Sequence, residues 1–197
     1  MYYKRKKVMS EPMQKQKILN VPNALTMLRM ALIPVYWVLM MNGQPHPALA
    51  VYIVASLTDL ADGYIARKYN LITDFGKLMD PLADKLMVFS VMLSLVLTDA
   101  VPLWPLIVVG CKELLMVLGG LVMLKKGIVV YANYMGKIAQ TVMVISLLLA
   151  FFKEQMPMLA GIPLHHGVLY LAVVLTLTAL CVYAWSAVKK VKALPKA

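Results

Sequence analysis

The chain has 197 residues, of which 61% are hydrophobic, and its mean hydropathy is +0.76. These values exclude an ordinary water-soluble domain and indicate an integral membrane protein that forms one compact bundle. The formal net charge is +11. The basic residues cluster at the ends of apolar segments, which indicates contact with anionic membrane lipids and no binding of nucleic acid.

The first nineteen residues are basic and largely polar. Apolar side chains interrupt the charges, which favours an amphipathic helix lying on the inner leaflet of the membrane. Pro12 breaks this pattern, so a disordered basic tail is an equally good prediction for residues 1–12. The sequence therefore divides into a basic juxtamembrane segment, residues 1–19, and one membrane domain, residues 20–197.

Six apolar segments follow, and most are long enough to cross a bilayer as a helix. The connections between them are short, which favours an up-and-down bundle. We therefore predict an all-α integral membrane protein with six transmembrane helices. The predicted segments are residues 24–41, 48–68, 75–97, 103–124, 135–152 and 168–188.

The basic connections alternate onto one side of this bundle, together with both chain ends. That side is predicted to be cytoplasmic, because short cytoplasmic segments are enriched in Lys and Arg. The protein would then lie in the cytoplasmic membrane with both termini facing the cytoplasm. The opposite connections carry all three histidines. We interpret His165 and His166 as part of a surface loop and not as a metal site.

Five of the nine acidic residues lie between Asp59 and Asp84. Asp59 and Asp62 are three residues apart, so they share one helix face. Asp80 and Asp84 are four residues apart and share another. The simplest arrangement is a helical hairpin in which the two carboxylate stripes face each other.

Carboxylates crowded in this way repel each other unless they are neutralised. Hard divalent cations prefer oxygen ligands, and Mg²⁺ combines carboxylates with substrate phosphates. The pattern therefore predicts one or two Mg²⁺ ions between the helices, with a diphosphate as a further ligand. The alternative is a set of helix-end charges that pair with neighbouring basic residues, namely Arg67, Lys68, Lys77 and Lys85.

The depth of these acids in the membrane supports a functional site. Only eleven residues, most of them apolar, precede Asp59 in the second segment, and as a helix they span about 17 Å, too little to cross a membrane. The helix must therefore continue through the acidic residues, which puts Asp59 and Asp84 about 15 Å below the cytoplasmic end. Because charge is costly in lipid, we predict a polar cavity that opens to the cytoplasm, with Asp62 and Asp80 nearer its mouth.

The complete pattern is Asp59-x-x-Asp62-Gly63-x-x-Ala66-Arg67, then eight residues, then Gly76-x-x-x-Asp80-x-x-x-Asp84. It resembles the signature of the CDP-alcohol phosphatidyltransferases at every fixed position. The segment NVPNALTMLR, residues 20–29, is similar to the phosphatidylglycerophosphate synthase and cardiolipin synthase branch of that family.

The resemblance implies a reaction and the residues that perform it. The phosphatidyl donor would be CDP-diacylglycerol, the cofactor two Mg²⁺ or Mn²⁺ ions, and the assembly a homodimer. The residues implied as metal ligands are Asp59, Asp62, Asp80 and Asp84, and those implied near CDP-diacylglycerol are Asn23, Gly63, Ala66, Arg67 and Thr73. In addition to binding metal, Asp84 would accept the proton of the attacking alcohol.

The residues implied near CDP-diacylglycerol also have ordinary structural interpretations. Gly63 and Ala66 are small enough to let a nucleotide approach the helix closely, but they would equally permit tight helix packing. Arg67 could hold a phosphate through two hydrogen bonds, or it could only anchor the helix at the membrane surface.

The acceptor is less well defined by the sequence. Glycerol 3-phosphate needs cations, and the candidates are Arg29, Lys85, Lys112 and Lys137. Lys112 and Glu113 stand in the place of an Arg-Glu pair usual in phosphatidylglycerophosphate synthases. Bacterial synthases of that branch often carry a Lys where Ala139 stands and an Arg near Gly120, so these positions depart from the resemblance.

Glycerol 3-phosphate is the predicted acceptor, and phosphatidylglycerol, the acceptor of a cardiolipin synthase, is the alternative. A non-catalytic divalent-cation transporter is a third interpretation. The apolar outer halves of the predicted helices disfavour it, since a transport path needs polar residues.

Overall fold

The computed structural model describes residues 20–69, 71, 73–125, 134–159 and 161–192. Within these residues the chain forms six α-helices and a short antiparallel hairpin of two strands that precedes the last helix. The elements are α1 (Val21–Met41), α2 (Pro45–Lys68), α3 (Asp74–Leu97), α4 (Leu103–Lys125), α5 (Tyr134–Ala150), β1 (Met158–Leu159), β2 (Ile162–Pro163) and α6 (Leu164–Lys192). The predicted helical architecture is confirmed, and the predictions for residues 1–19 lie outside the described residues.

Four of these helices are long and apolar enough to span a membrane, and α5 is a shorter apolar helix. The spanning segments are Val21–Met41, Pro45–Ala66, Leu103–Gly120 and Leu164–Val191. Large apolar side chains cover the outside of the bundle, and Leu114, Leu171 and Trp185 are each more than half exposed. Such a surface suits lipid and not water. The chain is therefore a membrane protein.

Polar side chains fix the starts of α1 and α3 and tie them together. Asn20 caps α1 by accepting a hydrogen bond from the Asn23 backbone N–H, at 2.9 Å. Thr73 caps α3 by accepting from the Gly76 N–H, at 3.0 Å. The Thr73 hydroxyl also donates to Asn23 Oδ1, at 2.9 Å. These contacts satisfy N–H groups that a helix leaves free at its start, and they hold two helix ends at one site.

Helix α1 packs extensively against both α2 and α3, whereas α2 and α3 contact each other less. On the other side of the bundle, α6 packs against α5 and α4. The prediction of a hairpin with two facing carboxylate stripes is therefore incomplete. Helix α1 also contributes side chains to the space between α2 and α3.

The apolar core lies at the end of the bundle away from these helix starts. Its largest fully buried apolar side chains come from the second halves of α1, α3 and α5 and the first halves of α2 and α6, and they include Tyr36, Met92, Leu95, Leu147 and Leu169. This packing fills that half of the bundle. It leaves the other half to the polar residues of the motif.

The prediction that His165 and His166 lie in a surface loop is wrong. Both belong to the first turn of α6, which begins four residues earlier than predicted, and His165 is almost fully buried. The His166 ring stacks on Tyr170 and its Nε2 lies 3.1 Å from the Ala100 carbonyl oxygen. These contacts give the His166 ring partners within the fold, so the helix can extend through this polar pair.

Candidate active site

The motif residues surround a cavity of about 400 Å³ between the starts of α1 and α3 and the second half of α2. We call it the motif cavity. It brings together three of the four predicted metal ligands and four of the five residues predicted near CDP-diacylglycerol. Its lining consists of Pro22, Asn23, Asp59, Leu60, Asp62, Gly63, Ala66, Leu71, Thr73, Gly76 and Asp80. Arg67 belongs to α2, but its side chain is outside the described part of the structure.

A second cavity, of about 220 Å³, contains the fourth aspartate. We call it the Asp84 cavity. Asp59 and Leu60 border both cavities, so the two spaces adjoin. The remaining lining comes from four helices and consists of Arg29, Tyr52, Ala55, Ser56, Asp84, Met87, Val88, Gln140, Thr141, Val144 and Ile145. The sequence predicted one polar cavity, whereas the structure has two adjoining cavities.

Arg29 joins the two carboxylates of α2. Its side chain is 1% exposed, its Nη1 lies 3.0 Å from Asp59 Oδ1, and its Nη2 donates to Asp62 Oδ2 at 2.5 Å. The sequence placed Arg29 among the acceptor cations, whereas the structure commits its guanidinium to the two aspartates. The sequence does hold a signal for this role, because a lone Arg inside an apolar segment needs a carboxylate partner at that depth.

Asp80 and Gly76 bring α3 close to α1. The Thr26 hydroxyl is hydrogen-bonded to the Asp80 carboxylate. A methyl group added at Gly76 would lie 2.9 Å from Asn23 Oδ1 and 3.2 Å from Thr73 Oγ1. These distances are shorter than ordinary van der Waals contact, so the close approach of the two helix starts requires glycine at this position.

Asp84 is held by a residue of α5 that the sequence did not single out. Gln140 Nε2 donates to Asp84 Oδ2, at 3.1 Å. Gln140 follows directly on Ala139, one of the positions where the chain departs from the resemblance. Its polar amide in an otherwise apolar stretch is the signal that could have identified it.

The predicted acceptor cations are only partly grouped. Lys112 Nζ donates to Glu113 Oε1 at 2.5 Å, and Lys85 Nζ lies 2.6 Å from Glu113 Oε2. Lys85 and Glu113 line a third cavity of about 220 Å³, otherwise mostly apolar, which also includes Gln140. Lys137 is exposed at the start of α5 and lies outside the linings of all three cavities. Glu113 thus already engages two of the four cations.

The sequence profile of the CDP-alcohol phosphatidyltransferase family matches residues 19–181. The chain belongs to this family.

Relatives within the CDP-alcohol phosphatidyltransferase family include enzymes with two kinds of name. A protein of Bacillus subtilis named CDP-diacylglycerol–glycerol-3-phosphate 3-phosphatidyltransferase is 42% identical over 66% of this chain and 77% of its own length. A Rickettsia typhi protein of the same name is 44% identical over 49% of this chain and 56% of its own length. A Streptomyces coelicolor protein named cardiolipin synthase (CMP-forming) is 32% identical over 68% of this chain and 66% of its own length.

The side chains of this CDP-alcohol phosphatidyltransferase suit a hard divalent cation in their chemistry. Four carboxylates line the two adjoining cavities, and hydroxyl and amide oxygens from Thr73 and Asn23 lie beside them. Among the described residues, however, no three Asp, Glu, His or Cys side chains are already grouped as a set that could hold an ion. Arg29 partly compensates Asp59 and Asp62 in this arrangement, which the sequence did not predict.

Proposed function

We propose that the protein transfers a phosphatidyl group from CDP-diacylglycerol to glycerol 3-phosphate, giving phosphatidylglycerophosphate and CMP. An oxygen of the acceptor alcohol forms a bond to the phosphorus that carries the diacylglycerol. The bond from that phosphorus to the oxygen of CMP breaks, and CMP leaves. The proton of the alcohol passes to a carboxylate.

The observation that supports this proposal most strongly is the position of Asp59 on the border of two cavities. The motif cavity has the glycines, capping side chains and carboxylates suited to a nucleotide diphosphate. The Asp84 cavity has a carboxylate that can accept the proton of an alcohol. A donor in the first cavity and an acceptor in the second would meet at Asp59. The glycerol-3-phosphate transferase of Bacillus subtilis is the relative that favours this acceptor.

We assign Asp59, Asp62, Asp80 and Asp84 as ligands of two Mg²⁺ or Mn²⁺ ions. When bound, these ions neutralise the diphosphate and the leaving CMP. Asp84 takes the acceptor proton as the general base. The residues assigned to CDP-diacylglycerol are Asn23, Gly63, Ala66, Arg67 and Thr73.

Lys85, Lys112 and Lys137 are the cations that we assign to the acceptor phosphate. Arg29 belongs with the carboxylates of α2, given its contacts with Asp59 and Asp62. Because Glu113 already engages Lys85 and Lys112, the positive charge left for a small dianion is reduced. This observation, together with the Streptomyces relative, supports phosphatidylglycerol as the second candidate acceptor and cardiolipin as the second candidate product.

We further propose that all six helices cross the cytoplasmic membrane. Helix α3 carries Asp80, Asp84 and Lys85, and we place these charges in the cavities of the bundle and not in lipid. Both chain ends and the mouth of the motif cavity then face the cytoplasm. We expect the protein to act as a homodimer among membrane lipids.

The test is an acceptor screen with the purified protein and CDP-diacylglycerol, in which CMP release is measured and the lipid product is identified by mass spectrometry. We expect phosphatidylglycerophosphate from glycerol 3-phosphate. Cardiolipin from phosphatidylglycerol, without product from glycerol 3-phosphate, would establish the second candidate instead. If neither glycerol 3-phosphate nor phosphatidylglycerol gives CMP release, the proposed transfer reaction itself is overturned.

A further inference from the structure

The hydrogen bond between Gln140 and Asp84 presents two oxygen atoms side by side. Gln140 Nε2 donates to Asp84 Oδ2, which leaves Asp84 Oδ1 and Gln140 Oε1 able to accept. The amide oxygen and nitrogen of Gln140 are about 2.2 Å apart in any carboxamide, so Oε1 lies next to this bond. Both side chains line the Asp84 cavity. Two side chains in the lining of that cavity therefore each keep an oxygen atom that can accept a hydrogen bond.

Two neighbouring acceptors are complementary to two neighbouring hydroxyl groups, each of which can donate one hydrogen bond. Glycerol 3-phosphate and the headgroup of phosphatidylglycerol both carry a primary hydroxyl next to a secondary one. The primary hydroxyl is the attacking group in the proposed reaction, so it belongs at Asp84. The secondary hydroxyl is then one carbon away, on the side of Gln140.

A buried hydroxyl in the wall of the same cavity also suggests a polar ligand. Tyr52 is 1% exposed, and its hydroxyl has no hydrogen-bond partner among the described residues. The nearby Ser56 hydroxyl donates to the Tyr52 backbone carbonyl oxygen. A phenylalanine at this position would avoid the cost of an unpaired buried hydroxyl. The wall beside Asp84 thus includes one buried polar group that the described residues leave unsatisfied.

We propose that Gln140 recognises the secondary hydroxyl of a glycerol-type acceptor while its amide N–H group holds Asp84 in place. This inference rests on the proposed transfer reaction but applies to either candidate acceptor. It makes Gln140 a specificity-determining residue, since an alcohol without the second hydroxyl loses one hydrogen bond. Loss of one such bond lowers kcat/KM by about threefold to tenfold.

The experiment compares glycerol 3-phosphate with 3-hydroxypropyl phosphate, which lacks only the secondary hydroxyl, in the wild type and in Gln140→Leu. If phosphatidylglycerol is the acceptor, its analogue without that hydroxyl replaces 3-hydroxypropyl phosphate. We expect the wild type to prefer the diol about threefold to tenfold and Gln140→Leu to lose that preference. A purely positional role would lower kcat equally for both acceptors and leave the preference unchanged, which would overturn the inference, as would a wild type without preference.

Thr141→Val is the matched control, because Thr141 lines the same cavity but its hydroxyl bonds to the Lys137 carbonyl oxygen of its own helix. It should keep the wild-type preference. If Gln140→Leu does not fold, Gln140→Asn replaces it in the experiment. Its side chain keeps the amide but is one methylene shorter, so it should reduce the preference for the diol. Failure of the proposed function is recognised separately, as absence of CMP release by the wild type with both acceptors.

Discussion

The motif cavity and the Asp84 cavity share Asp59, yet they are built from different parts of the sequence. The polar groups of the motif cavity come from the recognised signature and from the starts of α1 and α3. The Asp84 cavity adds Arg29, Tyr52 and Gln140, none of which belongs to the signature. The difference explains why a signature can identify the phosphatidyl donor and leave the acceptor open.

The half of the bundle away from the motif cavity contrasts with both cavities. There the side chains of Tyr36, Met92, Leu95 and Leu147 pack together with almost no exposure. The Tyr36 hydroxyl is satisfied by Ser94 within this core. A path for ions would have to cross this packed region, so the described structure favours a site that opens to one side over a transporter.

Removal of divalent cations should have the largest effect, because the proposed ions serve both cavities. We expect excess chelator to abolish CMP release and added Mg²⁺ or Mn²⁺ to restore it. The measurement is CMP release by the purified protein at fixed concentrations of both substrates. Undiminished release in excess chelator would show that Arg29 and other cations suffice to compensate the carboxylates.

Asp84→Asn should distinguish the roles of the two cavities in turnover and in binding of CDP-diacylglycerol. The variant keeps the shape of the side chain but removes the proton acceptor, so kcat should fall by about two orders of magnitude or more. Binding of CDP-diacylglycerol should change much less, because the motif cavity is intact. Steady-state kinetics and a separate binding measurement would test this. Retained turnover would assign the base to another of the four aspartates.

Asp99→Asn is the matched control for that substitution. Asp99 lies in the connection between α3 and α4, at the opposite end of α3 from the site, with a φ of 51°. Asn tolerates this left-handed conformation well. The control should therefore keep both its stability and its activity.

Lys137→Ala should have the smallest effect. Lys137 is exposed near the Asp84 cavity, and solvent weakens the attraction between an exposed cation and a phosphate. We expect the KM for the acceptor to rise a few-fold, and more than the KM for CDP-diacylglycerol. Lys153→Ala, on the opposite side of the bundle, is the control. A larger change in the KM for CDP-diacylglycerol would place Lys137 at the donor instead.

The sequence predicted the helices and the motif cavity well, because both follow from local patterns. Apolar length defines the helices, and the spacing of Asp59, Asp62, Asp80 and Asp84 defines two polar faces. It did not predict that α1 packs between those faces or that Arg29 joins two aspartates. Contacts between distant segments, such as Gln140 with Asp84, depend on how the helices pack, and no local pattern encodes that.

The start of α6 shows the same limit on a smaller scale. The polar pair His165 and His166 suggested a loop by composition. In the structure a ring stack with Tyr170 and a hydrogen bond to Ala100 give His166 partners within the fold. Tertiary contacts therefore overrode the local prediction.

The most direct test of the account is the binding of CDP-diacylglycerol to Gly76→Ala, measured without turnover. The added methyl group would lie 2.9 Å from Asn23 Oδ1, and Asn23 is held by Thr73, so the wall of the motif cavity cannot easily yield. We predict binding at least about tenfold weaker in Gly76→Ala, and unchanged binding in Gly167→Ala, where the methyl group meets no atom within 4 Å. Wild-type affinity in Gly76→Ala would contradict the assignment of the motif cavity to the donor.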